Sequence, residues 1–396
     1  MQLTLRKGTL GDLVKELEEQ QARKVDMVVP SRDLWSHQGL VVVRDGIPEQ
    51  IDENGVTPKR HLHLTPSAVF DGGLAAKLGQ TGRPFPIKYL RGLRETGRTD
   101  LVDANVNGLL HGNKALDVPA DGRSFFLRTF SPADENSTGY ARALLSNSYR
   151  PIDNWDVLGT VLAGLKTAGF TGHVIRQADL TDDKMYVRIS VPEISALAPT
   201  LLRGYTSPYS GAKGADNPVV EAGLVITNSE TGGGAFTITP ELLVQICTNG
   251  LTIKQDMIRK THLGGKLDDG ISKVSDETRA KNLELIASQT RDAVNTFLDP
   301  AYLERVIARI EGQSEEKIGD VTKAIETVVA RPAFSKDDMT GLLSSFIDGG
   351  DRTRGGLMNA VTAYSQQVAD ADRAYAMDED AFAAAGFVGI SGRVSA

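Results

Sequence analysis

The stretch HVIRQADLTDDKMYVRISV, residues 173–191, decides the fold. Met185, Val187, Ile189 and Val191 recur at every second position, the period of a strand whose alternate side chains enter a core. His173–Ala178 reads as the partner strand, and the acidic turn Leu180-Thr181-Asp182-Asp183 joins the two. Outward from this hairpin, Leu224–Thr227 and Ala235–Thr239 form a second one across Glu230-Thr231-Gly232-Gly233-Gly234. A helix from Asn154 to Ala168 precedes the pair. Pro240 is read as opening another helix through Leu242, Leu243 and Ile246, which Asn249-Gly250 ends and which holds Cys247 on its apolar face. Helix, hairpin, hairpin, helix describes an α+β protein, a central antiparallel sheet of hairpins backed by helices.

On the N-terminal side, Thr9-Leu10-Gly11-Asp12 starts a helix to about residue 23, and Leu40–Val43 is a buried strand ended by Asp45-Gly46. Residues 65–112 read as mostly helical, with Thr65-Pro66 as the first cap, and Ser124–Arg128 as a strand. From about residue 271 the chain is almost entirely helical. Three regions follow: a mixed α/β part over 1–130, an α+β core over 131–267, and a helical acidic part over 268–396. In that last part 14 Lys and Arg face 22 Asp and Glu, against a net charge of −7 for the whole chain. A polyanion site is therefore expected in the first two thirds, and the acidic part is expected to form solvated helical faces.

Catalytic chemistry finds little purchase. The six histidines are scattered; only His61 and His63 are close, and two ligands do not make a metal site. Neither a nucleophile elbow nor a phosphate-binding glycine loop is present. Gly232-Gly233-Gly234 lies between strands and serves as a turn. The expectation is a protein that is not an enzyme and needs no cofactor or metal. No apolar run reaches bilayer length and only one cysteine is present, so a cytosolic, non-membrane protein is expected.

Basic residues give the candidate binding site. Lys88, Arg91, Arg94 and Arg98 share one side of a helix if it runs unbroken, a pattern that suits a phosphate backbone and equally an ordinary solvated face. Tyr186, Arg188 and Ser190 share the other face of the hairpin, where Arg176 can join them; arginines and tyrosines on a sheet can hold phosphates and stack bases. Lys254, Arg259 and Lys260 form a third group, with Arg203 and Tyr205 in the loop 199–219, itself read as mobile. Tyr149 and Arg150 complete the candidate set.

The stretch Arg142–Asn154, RALLSNSYRPIDN, resembles the most recognisable motif of a phage- and plasmid-encoded family classed as a domain of unknown function. Phe126-Leu127-Arg128-Thr129-Phe130, Asp103–Leu110, Asn228-Ser229-Glu230-Thr231-Gly232, Cys247–Leu251 and Met358–Thr362 are similar to its further elements. The resemblance spans about residues 60–380 and implies a bacteriophage source and a host-cytoplasmic site of action. The hairpin–hairpin–helix order is also similar to ring-forming single-strand annealing proteins. Together these give the expected function: a homo-oligomeric DNA-metabolism protein that binds single-stranded DNA and anneals complementary strands in recombination. The alternative is a phage structural, assembly or host-interaction protein without nucleic-acid binding.

Overall fold

A computed structural model describes residues 5–47, 49–52, 55–57, 59–78, 85–132, 137–149, 151–170, 174–208, 210–246, 249–253, 256–260 and 276–388. The chain opens with β1 (Leu5–Gly8), α1 (Leu10–Arg23), β2 (Lys24–Pro30), β3 (Leu34–His37), β4 (Leu40–Ile47), β5 (Gln50–Asp52), β6 (Gly55–Thr57) and β7 (Arg60–Pro66). Three helices follow, α2 (Ala68–Leu78), α3 (Ile87–Glu95) and α4 (Thr99–His111), then β8 (Ser124–Phe130) and β9 (Gly139–Ser146). The middle holds α5 (Asn154–Thr167), β10 (Val174–Leu180), β11 (Met185–Leu197), β12 (Val219–Asn228), β13 (Phe236–Val244), β14 (Asn249–Thr252) and β15 (Ile258–Lys260). The rest is helical: α6 (Asp276–Phe297), α7 (Pro300–Ser314), α8 (Val321–Val329), α9 (Met339–Gly349), α10 (Arg354–Ser365) and α11 (Ala371–Ala384).

The fold is α+β, with two main sheets. The first runs β2-β8-β9-β7-β4-β3, antiparallel except for the β7–β9 pair. Leu34, Val43, Leu62, Leu64, Phe125 and Leu127 point from one face into a core shared with α2, α3 and α4. The second sheet runs β1-β10-β11-β12-β13-β14, with β15 also on β13. Met185, Val187 and Ile189 lie in its core as the two-residue period requires, packed with Leu13 and Leu17 of α1 and Val157, Val161 and Leu165 of α5. Strand β9 thus belongs to the first sheet and β1–α1 to the second, so the sheets divide the chain near residue 147 rather than 130. The loop 199–219 is anchored: Leu201, Leu202 and Tyr205 are buried, and Thr206 donates to Gly349.

Local chemistry explains the boundaries. Thr9 and Asp12 form a reciprocal capping box that starts α1. At the β10–β11 turn, Thr181 Oγ1 accepts from the backbone of Lys184. Helix α2 starts at Ala68, where Ser67 Oγ accepts from Phe70 N; Thr65 and Pro66 remain in β7. The expected helix at Pro240 is instead the second half of β13, since Leu224 pairs with Pro240 and Leu242 with Ala222. A proline opening an apolar run fits a helix start, but here β13 is buried on both sides, and two-sided burial erases the alternation that marks a strand. A strand, β14, follows where the helix was expected to end. Cys247 lies outside the described residues. No helix among the described residues is long and apolar enough to cross a membrane.

The β3 edge of the first sheet is closed by side chains. Asn107 on α4 accepts from Ser36 N at 2.8 Å and donates to Ser36 O at 2.7 Å, as a neighbouring strand would. One turn earlier, Asp103 accepts from Ser36 Oγ and from the backbone of Gln38 and Gly39.

Candidate functional site

Three segments that carry the family resemblance meet where the two sheets touch. Arg128 of β8 is fully buried. It donates to Asp26 of β2 at 2.9 Å, to Asp153 at 2.8 Å and to the Glu230 carbonyl at 2.9 Å. Arg142 of β9 donates to Glu230 Oε2 at 2.7 Å, and its guanidinium lies 4.4 Å from the Phe130 ring centroid. Lys24 reaches the second oxygen of Asp153 at 2.7 Å. Three cations and three carboxylates therefore balance inside one buried clasp.

Helix α5 is positioned by the same groups. Asp153 stands at its N-cap without a side-chain cap bond. Glu230 takes that place from the other sheet, accepting from Asn154 N at 2.6 Å. Asn228 donates to Ile152 O and Asn154 Oδ1. The anion thus sits against the positive end of a helix.

Burial by itself raises the Glu230 carboxyl, yet Arg142 and Arg128 overcome it and hold the group below the usual carboxylate range. Asp153 shows the same balance, with burial opposed by Arg128 and Lys24. Carboxylates held charged and saturated with donors are poor proton acceptors at neutral pH, so the clasp is suited to joining elements. Tyr149, beside it, has its phenol pushed up to about 12 by burial. Arg150 lies outside the described residues.

The hairpin face expected to bind DNA is covered. Tyr186 and Arg188 are buried beneath α11. Arg188 is ion-paired with Glu241 of β13 and Asp378 of α11, and Arg176 joins it at Glu241 at 2.9 Å. Tyr375 lies tilted against Tyr186 with centroids 4.5 Å apart, and the Tyr186 hydroxyl donates to Asp372 at 2.7 Å. A Cβ at Gly250 would overlap the Glu241 carboxylate, so the side chains fill this space. The sequence brought Arg176, Tyr186 and Arg188 together correctly. It could not show that carboxylates and a tyrosine of the same chain occupy the places assigned to phosphates and bases. The acidic region correspondingly turns part of its charge inward instead of into solvent.

Asp378 is the one carboxyl here pushed up to about 6, because burial outweighs Arg188 and Ser365 beside it, while Glu241 pushes it further. Its folded pKa is above its unfolded one, so between about pH 4 and 6 the folded state binds more protons and stability falls as pH rises. Asp378→Asn is expected to flatten this descent. Urea midpoints of both proteins across that window check it, and parallel curves would refute it. The opposite pH trends of Glu230 and Asp153 are common to both proteins and cancel.

The remaining candidates separate. The helix expected to carry Arg91, Arg94 and Arg98 on one side ends at Glu95; Gly97, at φ +71°, breaks it, and Arg98 stands at the N-cap of α4. Arg94 is bound bidentately to the buried Asp71 and reaches the Gly39 carbonyl. Arg91 donates to Ala68 O. Arg98 and Arg203 are more than half exposed, in surface pairs with Asp100 and Glu315. Tyr205 is core, Arg259 is exposed on β15, Lys260 is the next residue of that strand, and Lys254 lies outside the described residues. Among the described residues no three His, Cys, Asp or Glu side chains gather to hold a metal.

Sequence reasoning from charge missed the clasp. Arg128, Asp153 and Glu230 are isolated charges within apolar or turn segments, and only their place in the resemblance segments marked them. Comparisons with protein-family models, with curated proteins and with solved structures each returned no match.

Proposed function

We propose that this chain is a non-enzymatic protein of a mobile genetic element, a bacteriophage by its motif resemblance, that acts as an assembly or host-interaction component through contacts with other macromolecules. The observation that carries this reading is the closure of the central hairpin face. Arg188 meets Asp378 and Glu241, Tyr186 meets Tyr375 and Asp372, and coating of single-stranded DNA along that face would require α11 to leave the core. Titrating the full chain into a labelled single-stranded oligonucleotide at low and high salt tests it. The expected result is no tight binding even at low salt. Tight low-salt binding that weakens steeply as salt is added would overturn the reading.

One observation favours a second reading, single-strand binding at another place. Lys88, Tyr89 and Arg98 are all exposed around the α3–α4 junction, and Tyr89 lies close enough to Arg98 to act on its charge. An exposed aromatic accompanied by cations is the arrangement that stacks a base and neutralises its phosphates. Under this reading, Lys88→Glu with Arg98→Glu weakens the oligonucleotide binding and lowers its salt slope by about 0.7 per lost phosphate contact.

A further inference from the structure

The two edges of the first sheet are unlike. Edge strand β3 is clamped by Asn107 and Asp103. The other edge, β2, pairs with β8 in unbroken register over seven residues, Lys24 with Phe130 through to Pro30 with Ser124. Among the described residues no strand pairs with its outer side. Val25 and Val28 are 42% and 53% exposed there.

The direction of the free amides follows from the ladder. Ser131 N donates to Arg23 O and Ser31 N to Arg123 O, so residues 23 and 31 exchange bonds with the β8 side. Antiparallel pairs alternate, so Val25, Met27 and Val29 also face β8. The N–H and C=O groups of Lys24, Asp26 and Val28, with the Pro30 carbonyl, therefore point outward.

Exposed edges are ordinarily guarded by charge. Here the two charged residues of β2 are withdrawn into the clasp: Lys24 is held by Asp153 and Asp26 by Arg128. The guard is neutralised inside the molecule, and an open, regular, partly apolar edge remains.

We infer that β2 is a homotypic interface that pairs antiparallel with β2 of a second copy about a two-fold axis at Met27. In that register the outward groups meet only outward groups. Asp26 and Val28 exchange bonds with the partner's Val28 and the partner's Asp26, and Lys24 N–H meets the carbonyl of the partner's Pro30. Val25 comes opposite the partner's Val29. Pro30, which has no N–H to offer, falls at the end of the ladder where its absence costs least. Among the described residues each copy has this one open edge on the sheet, because Asn107 closes the other, so the pairing is isologous and stops at two copies. The interface deepens the assembly reading by naming a second copy as partner, and it rests on that reading for its purpose alone.

Light scattering on the full chain during size-exclusion chromatography tests it over a range of concentrations from low micromolar upward. The wild-type protein is expected to approach the mass of two chains. Val28→Pro removes an outward N–H that β8 does not use, so it should give single-chain mass with an unchanged circular-dichroism spectrum. If that variant fails to fold, Val25→Lys with Val28→Lys puts two charged side chains on the edge and should give the same monomer. A wild-type monomer at every concentration, or folded edge variants that still dimerise, would overturn the interface. Oligonucleotide binding decides the assembly reading separately, so the two can fail independently.

Discussion

Replacing Arg128 by methionine is expected to lower the free energy of unfolding by about 3–5 kcal/mol, the usual consequence of removing one partner from a buried ionic group. The change leaves Asp26, Asp153 and Glu230 around an apolar side chain, without the guanidinium that neutralises them. Arg128→Lys keeps the charge but loses the fork that spans Asp26, Asp153 and the Glu230 carbonyl, so it should fall between methionine and wild type. Urea unfolding of the three proteins measures this order. A methionine variant within about 1 kcal/mol of wild type would mean that the charges relax into solvent and that the clasp does not join the sheets. Combining Arg128→Met with Glu230→Gln should cost less than the sum of the two separate changes, since they share one network.

A comparable loss, again about 3–5 kcal/mol at neutral pH, is expected for Arg188→Met. Here the consequence depends on acidity in a particular way. Removing Arg188 leaves Glu241 and Asp378 facing one another without the cation between them. Asp378 already titrates at about 6, and loss of Arg188 moves it higher still. Lowering the pH from 7 to 5 should therefore restore part of the stability lost by the variant, because a protonated Asp378 no longer repels Glu241. Urea midpoints at the two pH values provide the measurement. A deficit that stays constant or deepens at pH 5 would show that Asp378 is not the group responsible.

Much of the architecture was legible because it rests on local rules. The β10–β11 hairpin, α1 with its Thr9–Asp12 box and the extent of α5 follow from period and capping chemistry. What failed was decided far away in the chain. The alternation of Met185 to Val191 correctly separated two faces, but the polar row is buried too, by a helix that begins at Ala371. Pro240 to Ile246 has no period because β13 is covered on both sides. The basic helix face dissolved at a single residue, Gly97, which turns the chain between α3 and α4. Charge counting weighs cations by their neighbours in sequence, whereas among the described residues the two that meet more than one carboxylate, Arg128 and Arg188, lie in apolar strands, where a buried guanidinium needs carboxylates from several elements.

The pairing of β1 with β10 has a consequence for biosynthesis. Leu5 is matched to Leu180, so the first strand leaves the ribosome with no partner and must wait for roughly 175 more residues. At ordinary elongation rates that interval is roughly ten to thirty-five seconds. The first sheet, whose last strand ends at Ser146, can form before then, while Arg188 stays exposed until Asp378 is made 190 residues later. Early in its life the nascent chain therefore presents a cationic, tyrosine-bearing surface that the finished protein conceals.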